Sequence, residues 1–223
     1  MYVPTHFKQE EVPELHDAIR RISFATLVTF GSEGIEGSHV PMLLDPEPAP
    51  FGTLLGHLAR ANPQWRRAAE GVEALAVFLG PDAYVTPSWY PTKRQTGKVV
   101  PTWNYVAVHA YGTVRFLQDR ERLRTLVTLL TRAHEARRPE PWAVSDAPAP
   151  FVDAMLGAIV GFELPIARLE GKWKLSQNRP AEDRAGVVDG LTRDGNGGEG
   201  TVADIMAAMI RPGAGTGSAP EGR

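Results

Sequence analysis

The sequence contains no cysteine among its 223 residues. Disulfides, cysteine-ligated zinc, iron–sulfur clusters and thiol nucleophiles are therefore excluded. It also lacks the run of about 18 or more apolar residues that a membrane helix needs, and its start, MYVPTHFKQEE, has no basic-then-apolar leader. We therefore expect a protein that does not enter a membrane and that works in the cytoplasm.

The chain also lacks an excess of positive charge. It has 24 Lys and Arg side chains against 26 Asp and Glu, which gives a net charge of −2. A protein that holds DNA mainly by neutralising phosphates usually has a basic excess, so the composition gives DNA binding no support. The six histidines lack HxxxH and HExxH spacing, so no metal site is predicted.

Alternating apolar residues and turn signals predict strands over most of the chain. Residues 22–30 and 38–44 are predicted to form a hairpin, and further strands are predicted at 53–58, 73–79, 83–86, 105–117, 160–169 and 172–177. In the longest, Val106, Val108 and Ala110 share a core face, whereas His109 and Tyr111 point to a polar face that suits a ligand or a subunit contact.

Helices are predicted between these strands. One begins at Asn62-Pro63 and ends near Gly71, a second follows an Asp119 cap, and a third spans 151–158. Residues 192–223 read as a flexible linker, a short helix at 201–210 that would fray on its own, and a disordered tail. We therefore expect one domain over residues 1–191 followed by this appendage.

The order of these elements predicts a mainly β fold with flanking helices (α+β), arranged as a small antiparallel barrel. No glycine-rich phosphate loop follows the first strand, and strands do not alternate regularly with helices. A Rossmann or P-loop fold is therefore not expected.

Three segments carry residues suited to ligand binding. In the first, Arg60 precedes the helix start at Asn62, where free backbone N–H groups favour an anion; an exposed arginine beside an ordinary helix cap is the alternative. His57 and His109 lie on predicted strands, where hydrogen-bonded structural histidines are the simpler interpretation.

The second segment combines aromatic rings, hydroxyls and an amide: Ser88, Trp89, Tyr90, Thr102, Trp103 and Asn104. Such a set suits stacking and edge recognition of a planar heterocycle, and it equally suits a subunit interface. The basic loop at 91–98 between them is expected to be solvated.

The third segment is residues 172–180. Alternation places Lys174 and Ser176 on one face and Gln177 on the other, while Asn178 and Arg179 follow at the strand end, where Arg179 is free to reach a phosphate.

At these segments the sequence resembles a known family. MYVPTHF, HLARANPQW, YVTPSWY, VPTWNYVAVHAYG and KLSQNRPAEDRAGV together are similar to the PaiB-type FMN-binding negative transcriptional regulators, in order from Met1 to about Leu191. The resemblance implies a split β-barrel in which two subunits share FMN at their interface. It also implies a regulator of gene expression, with direct DNA contact as an open expectation, because no helix-turn-helix is visible.

The resemblance further implies roles for individual residues. Arg60 and the helix opening at Asn62 would receive the FMN phosphate, His57 would also belong to the cofactor site, and His109 would lie on a strand that faces the flavin. Ser88, Trp89, Tyr90, Thr102, Trp103 and Asn104 would surround the ring and ribityl chain, and Lys174, Ser176, Gln177, Asn178 and Arg179 would close the site.

Two other functions stay open from the sequence. The barrel would suit an FMN-dependent oxidoreductase, such as a flavin reductase or a pyridoxamine-phosphate-oxidase-like enzyme, or a barrel that holds haem through a histidine. No side chain can be named as a catalytic acid or base, so a non-enzymatic role is the preferred expectation.

Overall fold

The computed structural model describes residues 1–195, 197–198 and 200–210. The chain divides into two compact units, which are interleaved along the sequence. Unit 1 contains Met1, Gln9–Leu79 and Ala107–Gly171, and unit 2 contains Tyr2–Lys8, Gly80–Val106 and the chain from Lys172 onward.

The described residues form nine strands in one sheet. The strands are β1 (Lys8–Gln9), β2 (Phe24–Gly31), β3 (Gly34–Asp45), β4 (Thr53–Ala59), β5 (Glu73–Val85), β6 (Thr102–Thr113), β7 (Arg115–Leu117), β8 (Ile159–Pro165) and β9 (Arg168–Lys174). Their order is β1-β9-β6-β5-β2-β3-β4-β8-β7, so the sheet has two edges and does not close on itself.

Seven α-helices accompany the sheet in the part of the chain that the structure describes. They are α1 (Val12–Ile22), α2 (Gln64–Arg67), α3 (Thr92–Thr96), α4 (Arg120–Glu135), α5 (Ala149–Gly157), α6 (Ala181–Arg193) and α7 (Val202–Ile210). None of these helices has the length and apolar character needed to cross a bilayer. The prediction of a mainly β fold with flanking helices is confirmed.

The predicted hairpin is present in unit 1. Strands β2 and β3 pair antiparallel from Phe24 opposite Pro41 to Gly31 opposite Gly34, with Gly34 at a φ of 93° that glycine adopts without strain. The predicted core face of β6 is also confirmed, because Val106, Val108 and Ala110 are all buried. Alternation therefore predicted which side chains of these strands form the core.

Several predicted boundaries differ from the structure. The closing strand pair expected at 160–169 and 172–177 is formed by β8 and β9, so residues 168–171 belong to β9 and the turn lies at residues 166–167. The second strand of the hairpin, expected at 38–44, begins at Gly34.

The helix expected from Asn62 to Gly71 is limited to α2, because Ala68 pairs with Gly31 and the Ala69 N–H donates to the Phe30 carbonyl, which returns the chain to sheet hydrogen bonding. Residues 83–86 are the continuation of β5 and do not form a separate strand. The strand expected at 105–117 is divided into β6 and β7.

Unit 2 contains a helix pair that the sequence interpretation only partly predicted. Helix α6 was not predicted, and the short helix expected at 201–210 is present as α7. The sequence interpretation expected this helix to fray on its own, whereas in the structure α7 packs on α6. Val202, Ala203 and Met206 are buried in a cluster with Tyr90, Val85, Val106, Leu175, Val187 and Leu191. The tail expected beyond residue 210 lies outside the described residues, and the boundary at 191/192 stays a prediction.

Two glycines allow α6 to approach Trp89 closely. A Cβ at Gly190 would lie 2.3 Å from Trp89 Cδ2, and one at Gly186 would lie 2.1 Å from the Trp89 carbonyl oxygen. Real Cβ atoms do not reach such distances, so glycine is required at both positions for this packing. The segment that contains Ser88, Trp89 and Tyr90 is thereby held against the helix pair.

We expect Gly190→Ala to lower the free energy of unfolding by about 1–3 kcal/mol, because the added methyl overpacks the contact with the indole. Gly157→Ala is the matched control, since its nearest neighbour would be Arg120 Nη2 at 3.8 Å. Urea unfolding followed by tryptophan fluorescence measures both changes. Equal stability of the two variants would contradict the packing role of Gly190.

Candidate functional site

The predicted site residues fall into two groups. Most belong to unit 2, namely Ser88, Trp89, Tyr90, Thr102, Trp103, Asn104, Lys174, Ser176, Gln177, Asn178 and Arg179. His57, Arg60, Asn62 and His109 belong to unit 1. The two groups are described separately.

Three of the unit 2 residues form a buried polar layer. Asn104 is fully buried, and its amide donates to Ser176 Oγ at 3.0 Å, with Met206 Sδ at 3.3 Å from the same nitrogen. Ser176 follows the end of β9 and has a φ of 63°, a left-handed conformation that is uncommon for serine. Tyr90 is also buried, and burial is the main reason that its pKa is raised. These side chains are buried and are therefore not open to a ligand.

An aromatic pair is exposed on the same unit. Trp103 retains 53% of its surface and Tyr84 retains 48%, and the two rings meet edge to face with centroids 5.9 Å apart. The Lys174 ammonium donates to Thr102 Oγ1 at 2.5 Å and to the Trp103 carbonyl oxygen. An exposed indole face beside a hydroxyl and an ammonium suits a planar ligand that also carries polar groups.

Lys174 lies among other positive charges. Burial lowers the pKa of its ammonium, and the charges of Lys172 and Arg179 lower it further. Lys172 is itself buried and donates to the Tyr2 carbonyl oxygen at 3.0 Å, while the Arg179 guanidinium lies 5.0 Å from the centre of the Tyr90 ring. None of these three cations forms an ion pair with a carboxylate in the described residues. The cluster therefore favours an anionic group.

The other unit 2 residues mainly organise the loops. Ser88 Oγ accepts a hydrogen bond from the Lys93 ammonium at 3.1 Å, and both side chains are exposed. The Gln177 amide spans its own turn, accepting from the Leu175 N–H at 2.7 Å and donating to the Trp173 carbonyl at 2.5 Å. Asn178 is exposed beside this turn.

In unit 1 the Arg60 guanidinium is occupied by protein acceptors. Its Nε donates to the Gly157 carbonyl at 2.7 Å, its Nη1 to Gln118 Oε1 at 2.9 Å, and its Nη2 to the Ile159 carbonyl at 2.9 Å. Arg60 therefore ties the end of β4 to the start of β8. These three bonds direct the guanidinium towards protein acceptors and leave fewer of its donors for a ligand. The predicted contact of Arg60 with the FMN phosphate stays a prediction.

The two other residues near Arg60 have different surroundings. Asn62 Oδ1 accepts from the Gln64 N–H at 2.9 Å, as predicted for a helix cap, and its amide donates to Ser38 Oγ at 2.8 Å. His57 is half-buried, its Nδ1 has no hydrogen-bond partner within the described chain, and burial lowers its pKa. Burial therefore disfavours the charged form of the His57 imidazole.

His109 belongs to a polar cluster on the outer face of β6. Its Nδ1 lies 3.4 Å from the Tyr111 hydroxyl, which donates to Glu170 Oε2 at 3.0 Å, and the Arg168 guanidinium lies 3.5 Å from the centre of the Tyr111 ring. Burial is the main cause of the lowered pKa of His109. The sequence interpretation placed His109 and Tyr111 on this face but did not predict Arg168 and Glu170, whose place depends on the pairing of distant strands.

Two residues of unit 2 were missing from the predicted site. Tyr84 stacks edge-on with Trp103, and Lys172 joins the cations around Lys174. Alternation already placed Lys172 on the same face as Lys174, so that pattern could have identified it. A search of the described residues finds no group of three or more His, Asp and Glu side chains placed to hold a metal ion.

Comparisons with known proteins agree with this chemistry. Residues 1–168 match the family described as "Putative FMN-binding domain". The chain is 31% identical over 211 residues to protease synthase and sporulation protein PAI 2 (PaiB) of Bacillus subtilis, which covers 95% of this chain and 99% of that protein.

Two solved structures share the fold. The FAD and heme binding protein from Mycobacterium smegmatis has a TM-score of 0.56 and 16% identity, covering 80% of this chain and 78% of that chain. The flavocytochrome Anf3 from Azotobacter vinelandii has a TM-score of 0.54 and 14% identity, covering 82% and 78%. These likenesses confirm the predicted split-barrel fold, and the sequence matches confirm the resemblance. The chain belongs to the PaiB-type family of FMN-binding domains, and FMN is its cofactor.

Proposed function

We propose that the chain is a cytoplasmic, homodimeric regulator of gene expression that represses its targets and binds FMN at an interface between two copies. Membership of the family identifies FMN as the cofactor, and the relationship to PaiB supports the regulatory role. The structural observation that carries the binding proposal is the exposed Trp103 beside three cations that have no carboxylate partner in the described residues.

The unit 2 residues match the chemical parts of FMN. The indole of Trp103 offers a flat apolar face to the isoalloxazine ring, and the hydroxyls of Thr102 and Ser88 suit the ribityl chain. Lys174 and Arg179 supply positive charge for the phosphate dianion. When bound, FMN supplies a redox-active ring, while these residues bind and orient it. The family match ends at residue 168, so the assignment of Lys174 and Arg179 depends on the resemblance of residues 174–187 to the PaiB-type sequences and on the geometry of the cations.

Substitution of Trp103 tests this assignment of the ring. We expect Trp103→Ala to weaken FMN binding by about 1–3 kcal/mol, which is roughly a 5- to 150-fold rise in Kd, because stacking on the indole is lost. Trp142→Ala is the matched control, since Trp142 is similarly exposed at 49% but belongs to unit 1. Titration of apoprotein with FMN, followed by flavin fluorescence, measures both.

The absorption spectrum of the purified wild-type protein completes this test. Flavin bands are expected, whereas a Soret band would favour the haem-binding alternative. If Trp103→Ala binds FMN as tightly as the wild type does, the isoalloxazine ring stacks on a residue other than Trp103.

The lowered pKa of Lys174 predicts a pH dependence of FMN binding. A bound dianion favours the ammonium form and raises that pKa again, so binding takes up a proton at pH values between the pKa of free Lys174 and that of the complex. FMN affinity is therefore expected to fall as the pH rises through the lowered pKa of free Lys174. Isothermal titration in buffers of different ionisation enthalpy measures the proton uptake.

Lys174→Met should bind FMN more weakly and lose this component of the pH profile. Lys98→Met is the control, because Lys98 is exposed on the same unit and its substitution should leave the affinity and the pH profile unchanged. A pH profile of Lys174→Met identical to that of the wild type would show that the phosphate binds away from Lys174.

An exposed apolar sheet face in unit 1 supports the homodimer. On β2, β3 and β5, Phe24, Phe30, Ile35 and Leu79 are between 55% and 76% exposed. Phe30 lies opposite Ile35, and Thr26 on the same face lies opposite both His39 and Val77, so the exposed apolar side chains share one face of the sheet. We call this surface the open sheet face. Apolar patches of this kind mark interaction surfaces, and a second copy would cover it.

Charges placed on the open sheet face should separate the copies. We expect wild-type protein to have twice the chain mass in solution and Phe30→Glu/Ile35→Glu to have the mass of one chain, because burying unpaired carboxylates is costly. Phe151→Glu is the control, since Phe151 is 56% exposed on α5. Sedimentation equilibrium measures the masses, and a monomeric wild type would contradict the dimer. Loss of FMN from the monomeric variant would support binding between copies.

A further inference from the structure

The second half of the motif KLSQNRPAEDRAGV has no part in the FMN site proposed above. These residues begin helix α6, and they include Asp183, which lies in the first turn of the helix and is fully buried. Proteins seldom bury a carboxylate completely unless another group compensates its charge or satisfies its hydrogen bonds. Asp183 forms no ion pair within the described chain. Its burial therefore depends on a hydrogen-bond partner.

That partner belongs to the loop that follows Trp89. One carboxylate oxygen of Asp183, Oδ1, accepts a hydrogen bond from the Thr92 N–H at 3.1 Å. Thr92 is the first residue of helix α3, and Pro91 before it offers no side-chain acceptor to cap that helix. The other oxygen, Oδ2, has no partner among the described residues. The contact with Thr92 is therefore the hydrogen bond that the buried carboxylate supplies.

Helix α6 lies along part of residues 88–93, which we call the Trp89 loop. A Cβ at Gly186 would lie 2.1 Å from the Trp89 carbonyl oxygen and 3.3 Å from Pro91 Cδ. Gly186 and Asp183 are three residues apart, so they lie on the same side of the helix. Close packing brings the loop near α6, whereas a directional hydrogen bond defines its position along the helix. Asp183 therefore fixes where the C-terminal end of the Trp89 loop lies on α6.

The Trp89 loop carries polar groups at both of its ends. At its start, Ser88 is exposed, and its N–H donates to Thr86 Oγ1 at 3.2 Å. At its end, Lys93 directly follows Thr92, and its ammonium donates to Ser88 Oγ at 3.1 Å. A displacement of Thr92 would therefore move Lys93 and the hydroxyl that it contacts.

We propose that Asp183 is a positioning residue of the FMN site. Its hydrogen bond to Thr92 fixes the Trp89 loop and thereby places the Ser88 hydroxyl for the ribityl chain of FMN. Asp183 is itself buried and acts only through the loop. The proposal rests on the FMN site proposed above in unit 2. It also has a consequence that needs no FMN, because removing the acceptor at position 183 should loosen the loop in the free protein.

Hydrogen–deuterium exchange of the full chain without FMN measures the order of the loop. Asp183→Ala and Asp183→Leu both remove the acceptor, and the leucine also fills the space, so the test does not depend on one variant that folds. We expect the amides of residues 89–96 to exchange at least about 10-fold faster in both variants, because a hydrogen bond to a charged group is lost. The β2–β3 hairpin in unit 1 should exchange as in the wild type.

Two further variants are compared with these. Asp189→Ala is the matched control, since it removes a carboxylate that is exposed on the same helix, and it should behave as the wild type. Asp183→Asn is the conservative rescue, because its amide keeps an oxygen that can accept the Thr92 N–H. It should restore slow exchange and most of the affinity for FMN that Asp183→Ala loses.

Titration of each apoprotein with FMN and with riboflavin, well below the unfolding temperature, measures the effect on the site. We expect Asp183→Ala to raise the Kd of both ligands by about 3- to 10-fold, because both contain the ribityl chain and a neutral hydrogen bond to it is poorly placed. In a Ser88→Ala background the same substitution should have no further effect, since the two residues act on the same hydrogen bond. Thermal unfolding of each variant is measured in parallel.

A lowered unfolding temperature with an unchanged Kd would make Asp183 merely structural and would overturn the proposal. Unchanged exchange of the loop, additive effects of Asp183→Ala and Ser88→Ala, or weaker binding of FMN but not of riboflavin would overturn it as well. If Trp103→Ala weakens FMN binding and Asp183→Ala does not, the proposed FMN site stands and the role of Asp183 fails. If neither variant weakens binding, both proposals fail.

Discussion

The half-buried ammonium of Lys174 is the constraint on which the proposed binding surface depends. Burial and the charges of Lys172 and Arg179 all disfavour its protonated form, and no carboxylate in the described residues pairs with it. Like charges gathered without a counter-charge reduce stability, and such arrangements concentrate at functional sites because a ligand supplies the missing charge. A phosphate dianion would do so here. The uncompensated positive charge around Lys174 therefore both lowers the stability of the free protein and favours the binding of an anion.

The buried part of unit 2 keeps that surface in place. Asn104, next to Trp103 in the chain, donates a hydrogen bond to Ser176, two residues after Lys174, and helix α6 approaches Trp89 so closely that only glycine fits at position 190. Helix α7 closes the same cluster with Met206. The residues that resemble the family's motifs thus divide into two sets. One set is buried and supports the loops, and the other, including Trp103 and Lys174, is open to a ligand.

The sequence predicted the parts of the structure that depend on local pattern. Alternation identified the buried side of β6, and the apolar runs at 22–30 and 38–44 with turn signals between them identified the β2–β3 hairpin. Helix α6 was missed because Gly186 and Gly190 disfavour a helix locally, whereas their role is a tertiary contact with Trp89. The sequence could not predict the environment of Arg60 either, because its acceptors at Gly157 and Ile159 are almost a hundred residues away in the chain. Local spacing identified a cation but could not show what that cation contacts.

Helix α4 covers one side of the sheet in unit 1. Its apolar residues Leu123 and Leu126 lie over Gly161 of β8, whereas the side chains of the open sheet face stay exposed. The charge of the whole chain does not describe the surroundings of Lys174, because an anion responds to the charges within about a Debye length, near 10 Å at moderate salt. Lys172 and Arg179 lie close enough to Lys174 to lower its pKa, and no carboxylate in the described residues pairs with any of the three. A net charge of −2 is therefore compatible with a local cationic surface in unit 2.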